Sequence, residues 1–301
     1  FRSHSVMTEE VRDSFPQKYL ESICEENGHI YSVPFQMDIM MFWVNQELLK
    51  QAGLDEIKNT GDFDILQKSL KNPDQYAYGD AWENTHVYNS LSQFVNFWGG
   101  DYFDWTDPKT KDAARYMKSM LDEKNTSPAQ FVDQYEQMEE KFIRGKYGYV
   151  FMYTSALGTF LDADVYGKNK IHMAPLPVLH KKKATNIATW QYVLNNASEN
   201  KDAAVRFLQY AAGYEGSTEY AKIMKSYPAR VDVIENEDID LEGIDMIRKY
   251  LREYTLNARP LCENSMGAVS DMGKLFQGYV LGQCEEDSFF EQAQNCINTY
   301  Y

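Results

Sequence analysis

The side chains best suited to chemistry in this sequence are a carboxylate and aromatic rings that border apolar stretches. Asp38 follows Pro34 and Phe35, and Trp82 separates the segment 76–81 from a polar loop. A large ring at the start of a polar loop is expected to be exposed. Rings offer flat apolar faces and carboxylates accept hydrogen bonds, so this combination favours a polar ligand that has apolar faces. Sugars are ligands of this kind.

No catalytic constellation accompanies Asp38. Cleavage of a glycosidic bond needs two carboxylates about 5–10 Å apart, and Asp38 has no evident partner in the sequence. A nucleophile with its base, or a glycine-rich phosphate loop, is not recognisable either. We therefore predict that the chain is not an enzyme and uses no cofactor, with a glycoside hydrolase kept as the alternative.

The composition is that of a soluble globular protein with an acidic balance. The 301 residues include 45 acidic and 30 basic side chains, for a net charge of −15, and 44% are apolar. This charge repels phosphate backbones, so no nucleic-acid partner is expected. No apolar run approaches the ~20 residues needed to cross a bilayer. The basic cluster 180–183 is interpreted as a solvated turn.

The cysteines do not suggest a metal site. They show neither a CxxC pair nor histidines at a spacing suited to zinc, so no metal is predicted. A disulfide and buried free thiols both remain open. The four are Cys24, Cys262, Cys284 and Cys296.

The hydrophobic pattern alternates between short apolar strands and amphipathic helices. Apolar residues at helical spacing end at Trp98, which we place in the core, and Gly99 stops that helix. Ser198 is predicted to cap the next helix after a second apolar stretch. The predicted helices are 62–70, 87–98, 110–121, 131–144, 266–281 and 285–298.

Five segments, in this order along the chain, resemble the extracellular solute-binding proteins of carbohydrate ABC importers, the family 1 proteins related to maltose-binding protein. The similarity covers essentially the whole chain from about Asn27. The segments are Pro34 to Asp38 with Glu47 to Gly53, Phe142 to Ser155, Pro175 to Pro177, Thr189 to Gln191 with the following helix start, and Tyr227 to Arg230.

The resemblance implies an α/β fold of the two-lobed, type II periplasmic-binding-protein class, with hinge crossings at 34–38 and 189–191. Lobe 1 is predicted to contain residues 1–38 and 190–232, and lobe 2 residues 39–189 and 233–301. The family has an additional βαβαβ stretch before the first crossing. On the order of 80 to 100 residues of lobe 1, about a small domain's length, are therefore expected upstream of Phe1.

The resemblance also implies a ligand site. Asp38 corresponds to an acidic residue that accepts hydrogen bonds from sugar hydroxyls, and Trp190 to a tryptophan that stacks on a sugar ring. Tyr153 stands where the family usually has glycine, and Ser155 where it has a stacking tryptophan, so Tyr153 could supply the ring and Ser155 a hydroxyl. The predicted ligand-binding residues are Asp38, Trp190, Tyr153, Trp82, Ser155, Phe35 and Tyr88.

The implied function is that of an extracytoplasmic binding protein, either periplasmic or a cell-surface lipoprotein. It would capture a sugar or oligosaccharide in a cleft between lobes and deliver it to an ABC transporter permease. A monomer is expected. The same fold with a noncarbohydrate ligand, such as a polyamine, iron or a phosphorylated polyol, is a further alternative.

Overall fold

A computed structural model describes residues 6–301, so the first five residues of the predicted lobe 1 lie outside the described part. The chain divides into two compact units. Unit 1 contains the chain up to Met40 and the segment Asn186–Leu261, and unit 2 contains Met41–Thr185 and Cys262–Tyr301.

The regular elements of both units follow one another in a mixed α/β order. A π-helical turn at Leu20–Cys24 and a 3-10 turn at Pro128–Phe131 complete them. In chain order they are α1 (Glu9–Asp13), α2 (Gln17–Tyr19), β1 (Glu25–Glu26), β2 (His29–Ile30), β3 (Val33–Asn45), α3 (Gln46–Gln51), α4 (Thr60–Ser69), β4 (Tyr76–Gly79), α5 (Val87–Trp98), α6 (Pro108–Asp122), α7 (Tyr135–Ile143), β5 (Tyr147–Tyr153), α8 (Ala156–Asp162), β6 (Ile171–Ala174), β7 (Ala184–Tyr192), α9 (Lys201–Ala212), α10 (Tyr214–Met224), α11 (Val231–Glu235), α12 (Ile244–Glu253), β8 (Thr255–Asn257), α13 (Ser265–Val280) and α14 (Glu286–Tyr300).

Unit 1 is organised around the antiparallel pair of β3 and β7, with β8 on the other edge of β7. Pro34 lies inside β3, so the crossing predicted at 34–38 belongs to one continuous strand and does not separate two strands. A β-bulge between Pro34 and Gln36 makes Phe35 the extra residue of this strand, and the strand continues to Asn45. On the other edge of β3, the Met37 N–H donates to the Tyr227 carbonyl at 3.0 Å.

Unit 2 contains a sheet in which β5 lies between β4 and β3, with β4 and β5 parallel and β6 antiparallel to β3. Its core is aromatic: the rings of Phe63 and Tyr149 stack with centroids 4.1 Å apart, and Phe42 packs on Tyr149 at 5.5 Å. β3 is buried along its unit 2 half. A continuous apolar run is expected of a strand covered on both faces.

Several helix predictions are confirmed because local signals define their ends. α5 spans the predicted 87–98, buries Trp98 to 6% exposure, and ends at Gly99, whose φ of 73° is left-handed. α4 begins with a capping box formed by Asn59 and Asp62. The helix predicted at 131–144 begins instead at Tyr135. Ser198 is not the cap of α9, because that helix begins at Lys201.

The predicted boundary at residue 232 needs correction. The structure assigns residues 233–261 to unit 1, because α11 packs against both α10 and α12. Arg248 on α12 donates to the carbonyl of Ile234 at 2.8 Å and to that of Asn236 at 2.9 Å. These bonds satisfy carbonyl groups at the end of α11, so the two helices form one body with unit 1.

Candidate ligand-binding surfaces

In unit 1, the pairing of β3 with β7 brings the predicted residues Asp38 and Trp190 to the same face. Gln36 pairs with Trp190, and Asp38 with Ala188. Directly paired residues share a face, and diagonal neighbours lie about 7–8 Å apart. The Trp190 ring is 60% exposed, whereas Asp38 is 6% exposed. An exposed ring therefore stands beside an amide and a carboxylate.

The β-bulge sets which side chains join this face. Val33 pairs with Tyr192, and the extra residue brings Gln36 to the face shared by Trp190 and Tyr192. The Phe35 ring stacks on Tyr192 with centroids 4.2 Å apart. Phe35 is thus half-buried in unit 1.

Tyr220 on α10 connects this face to the helices of unit 1. Its hydroxyl donates to Gln36 Oε1 at 2.5 Å, and its ring meets the edge of Phe35 at 5.5 Å. Burial raises the pKa of Tyr220, and the negative charge of nearby Asp38 adds to this rise. The same charge adds to the raised pKa of Tyr19, for which burial is the main cause. Asp38 therefore lies among tyrosines.

Sequence reasoning missed Gln36, Tyr192 and Tyr220 as members of this face. The alternation of Trp190, Gln191 and Tyr192 along β7 is the signal that could have identified Tyr192, because alternate residues of a strand share a face. Gln36 and Tyr220 required knowledge of the bulge and of a contact between residues 184 positions apart.

In unit 2, Tyr153 and Ser155 lie at the end of β5 and the start of α8. Tyr153 is half-buried, and its hydroxyl donates to Asn89 Oδ1 at 3.3 Å. Its ring meets the edge of Tyr135 at 6.4 Å, and Tyr135 meets His86 at 5.4 Å. Ser155 is exposed at the N-cap position of α8, where its side chain makes no capping hydrogen bond.

A polar cluster of a carboxylate and an imidazole follows β4 in the same unit. His86 Nδ1 lies 3.1 Å from Glu83 Oε2, and the side chains are 24% and 22% exposed. The backbone N–H of Thr85 donates to the same Glu83 oxygen at 2.9 Å. Partial burial favours the protonated form of Glu83, but the hydrogen bonds from Thr85 and His86 outweigh it and lower its pKa. Glu83 is therefore held as a carboxylate beside the aromatic row of His86, Tyr135 and Tyr153.

The prediction that Trp82 is exposed is wrong. Its side chain is 0% exposed, and its ring meets the edges of Phe131 and Phe276 at 5.5 Å each. The indole Nε1–H donates to Asp80 Oδ2 at 2.5 Å. A buried carboxylate thus satisfies the polar end of the ring and allows it to lie in the core.

Asp80 accepts four hydrogen bonds in total. Besides Trp82, the donors are the Tyr78 hydroxyl, the Ser90 hydroxyl at 2.9 Å and the Ala81 N–H at 2.7 Å. Burial raises the pKa of Asp80, since removal from water disfavours the charge more than the four donors favour it. The Asp80 carboxyl thus connects four residues in the interior of unit 2.

Tyr88 is also enclosed. It is 9% exposed on α5, and its ring meets the edge of Tyr102 at 4.8 Å. Its position in the apolar stripe of α5 explains this burial. Of the residues predicted for unit 2, Tyr153 and Ser155 are therefore the accessible ones.

Residues 6–301 contain no group of three or more His, Cys, Asp or Glu side chains arranged to hold a metal ion. Within the same range, no helix is long and apolar enough to span a bilayer. The cysteines are free thiols, with Cys24 buried and the other three half-buried.

The family model for bacterial extracellular solute-binding proteins matches residues 6–218. A probable amino-acid ABC transporter periplasmic-binding protein of Sinorhizobium fredii is 24% identical over 75% of this chain and 54% of its own length. The arabinooligosaccharide-binding protein of Bacillus subtilis is 23% identical over 77% of this chain and 56% of its own length. The chain thus spans about half the length of these curated relatives.

Among solved structures, an ABC transporter solute-binding protein of Thermotoga lettingae with bound alpha-D-tagatose superimposes with a TM-score of 0.81 at 16% identity. The match covers 96% of this chain and 77% of that protein. It confirms the two-lobed, type II periplasmic-binding-protein fold. The matched family model covers more than half of the sequence, and the chain belongs to the bacterial extracellular solute-binding protein family.

Proposed function

We propose that this chain binds a carbohydrate outside the cytoplasm and delivers it to the permease of an ABC importer. It acts as a receptor and not as an enzyme. The observation that carries the proposal is the face of unit 1 on which the 60% exposed Trp190 adjoins Gln36 and Asp38. A sugar ring presents C–H groups to an aromatic face and hydroxyls to amide and carboxylate oxygens.

The accessible side chains of unit 2 have the same character. Tyr153 offers a half-buried ring and Ser155 an exposed hydroxyl. Asn89 and Glu83 add oxygen acceptors next to the aromatic row. Hydroxyl-rich ligands match such a mixture of rings and acceptors, whereas a phosphorylated ligand would be repelled by the carboxylates.

The two curated relatives differ in the ligand class that their names state, one an amino acid and the other an arabino-oligosaccharide. An amino-acid receptor is therefore the second candidate. It would need a cation for the ligand carboxylate. Trp190, Gln36 and Asp38 supply no such cation, which favours the carbohydrate.

A thermal-shift screen distinguishes these candidates. Maltose, D-tagatose, an arabino-oligosaccharide mixture, spermidine and the common amino acids are added separately to the 301-residue chain and to the protein as its gene encodes it. A ligand at 100 times its Kd stabilises the folded state by about 2.7 kcal/mol. Stabilisation by at least one sugar is expected. Stabilisation by amino acids or spermidine alone, or release of sugar products from an oligosaccharide, would refute the proposal.

A further inference from the structure

We propose that His86 is a further ligand-binding residue of unit 2, whose Nε2 atom accepts a hydrogen bond from a hydroxyl group of the ligand. Glu83 is the positioning residue that fixes which ring nitrogen of His86 carries the proton. The inference rests on the proposed carbohydrate function and names one contact by which unit 2 would select a hydroxyl-rich ligand.

The hydrogen bonds around Nδ1 of His86 define where the ring proton lies. Nδ1 is 3.1 Å from Glu83 Oε2 and 3.1 Å from the Thr85 hydroxyl oxygen. The Thr85 hydroxyl donates its one proton to the same Glu83 oxygen, so it has none to offer to Nδ1. The lowered pKa of Glu83 keeps this group a carboxylate, which accepts but cannot donate. The proton between the two side chains therefore belongs to Nδ1, and Nε2 of the neutral ring carries a lone pair.

The Nε2 atom of His86 is open to a ligand. It has no hydrogen-bond partner among residues 6–301. The side chain is 24% exposed, and His86 precedes α5 at the N-cap position without forming a capping hydrogen bond. When a carboxylate fixes one nitrogen of an imidazole, the other nitrogen points in a defined direction, as in the histidine ligands of metal sites. Nε2 is thus an oriented acceptor.

The loop that carries Glu83 and His86 is held in place by bonds within unit 2. The His86 N–H donates to the Glu83 carbonyl at 2.8 Å, and the Glu83 N–H donates to the Asp133 carbonyl at 3.3 Å. The Asn84 side-chain amide donates to the Ser270 hydroxyl on α13 at 2.9 Å. A ligand therefore does not need to order this loop, which reduces the conformational entropy lost on binding.

The surroundings of His86 favour a sugar hydroxyl as the donor. The imidazole meets the edge of the Tyr135 ring at 5.4 Å, and Tyr135 meets Tyr153 at 6.4 Å. Such rings pack on the C–H faces of a sugar whose hydroxyls reach the lone pair of Nε2. A metal ion is the other common partner of an imidazole nitrogen. Residues 6–301, however, contain no group of three His, Cys, Asp or Glu side chains that could complete its coordination.

The position of the ring proton is tested first, and this measurement needs no ligand. Long-range ¹H–¹⁵N correlation spectra distinguish the protonated from the unprotonated nitrogen of an imidazole, and His86→Phe identifies the signals of His86. At pH 8, at the upper end of ordinary histidine titration, His86 should show a protonated Nδ1 and a bare Nε2. Glu83→Ala should produce a mixture of both tautomers, because no carboxylate then favours Nδ1–H. A dominant Nε2–H form in the unchanged protein would overturn the proposal.

The contact itself is tested with the sugar that stabilises the protein best in the thermal-shift screen. Saturation with this sugar should shift the Nε2 signal of His86. His86→Phe keeps a ring beside Tyr135 but removes the acceptor, so the Kd should rise roughly 5- to 10-fold. His180→Phe is the matched control, because the exposed His180 ring also packs on an aromatic residue, Trp98, at 4.9 Å. It should leave the Kd unchanged.

Failure of this inference is distinguishable from failure of the proposed function. If a sugar binds and Trp190→Ala weakens it, but neither His86→Phe nor the Nε2 signal responds, the function stands and the role of His86 is overturned. If no sugar binds, the proposed function fails and the role of His86 fails with it. Stoichiometric binding of Zn²⁺ that His86→Phe abolishes would assign Nε2 to a metal ion and would also overturn the proposal.

Discussion

Replacing Trp190 with alanine should weaken sugar binding without destabilising the fold. The ring is 60% exposed, which leaves about 150 of the ~250 Å² of a tryptophan side chain available to a ligand. A sugar covers one of the two ring faces, or about 75 Å². At ~25 cal/mol per Å² this contact contributes about 2 kcal/mol. The Kd should therefore rise by about 10- to 30-fold.

Titration calorimetry with the best sugar of the thermal-shift screen measures this change, and urea denaturation verifies that the variant is folded. Tyr31→Ala is the matched control, since Tyr31 is a 52% exposed ring of unit 1 that precedes β3. It should leave the Kd unchanged. If Trp190→Ala alters the Kd by less than about two-fold for every sugar that binds, the face of β3 and β7 is not the stacking platform.

Three further predictions concern stability and reactivity. Asp80→Asn should lower the free energy of unfolding by about 1–3 kcal/mol in urea denaturation, because the amide N–H₂ points at buried donors. Burial raises the pKa of the Asp80 carboxyl, so its stabilising contribution is complete below the ordinary Asp pKa and is lost as the pH rises through the raised value. The difference in unfolding free energy between the unchanged protein and Asp80→Asn should therefore shrink with rising pH. A difference that stays constant with pH would contradict this. Gly273→Ala should destabilise the protein, because the new Cβ would lie 2.0 Å from the Asn84 carbonyl oxygen. In Gly278→Ala, on the same helix, the new Cβ meets no atom closer than 3.9 Å, so the higher helix propensity of alanine should stabilise the protein by up to about 1 kcal/mol. Equal effects at the two glycines would exclude the steric explanation. Burial raises the pKa of Cys24 to about 11, so a thiol reagent at pH 8 should label the half-buried cysteines first and Cys24 only after unfolding; rapid labelling of Cys24 in the folded protein would be inconsistent with its burial.

The elements that the sequence predicted well are those with local signals. The stripe of α5 and its stop at Gly99 are both readable within a dozen residues. The course of β3 was harder to predict. Pro34 indicates a break in the strand, and the local sequence does not show that a bulge keeps the strand continuous. The resemblance to a family identified the fold, since the order of several segments survives where single residues have changed.

The candidate site was less predictable, because its side chains meet through contacts between residues that lie far apart in the sequence. Trp82 has the local sequence of an exposed loop residue, and only Asp80, Phe131 and Phe276 together explain its burial. In the same way, Tyr220 joins the β3–β7 face through a bond to Gln36 that no local pattern indicates. The resemblance placed Trp190 and Asp38 on two separate crossings, and the pairing of β3 with β7, which the sequence does not indicate, brings them close together.

The discontinuity of unit 1 has a consequence for the order of folding. Its central pair joins strands so far apart that Ser32 and Gln191, which share a hydrogen bond, are separated by 159 positions. Unit 2 instead contains the continuous segment Met41–Thr185. Closing a long loop costs entropy before any contact compensates for it. We therefore expect the continuous segment of unit 2 to fold before the β3–β7 pair of unit 1 forms.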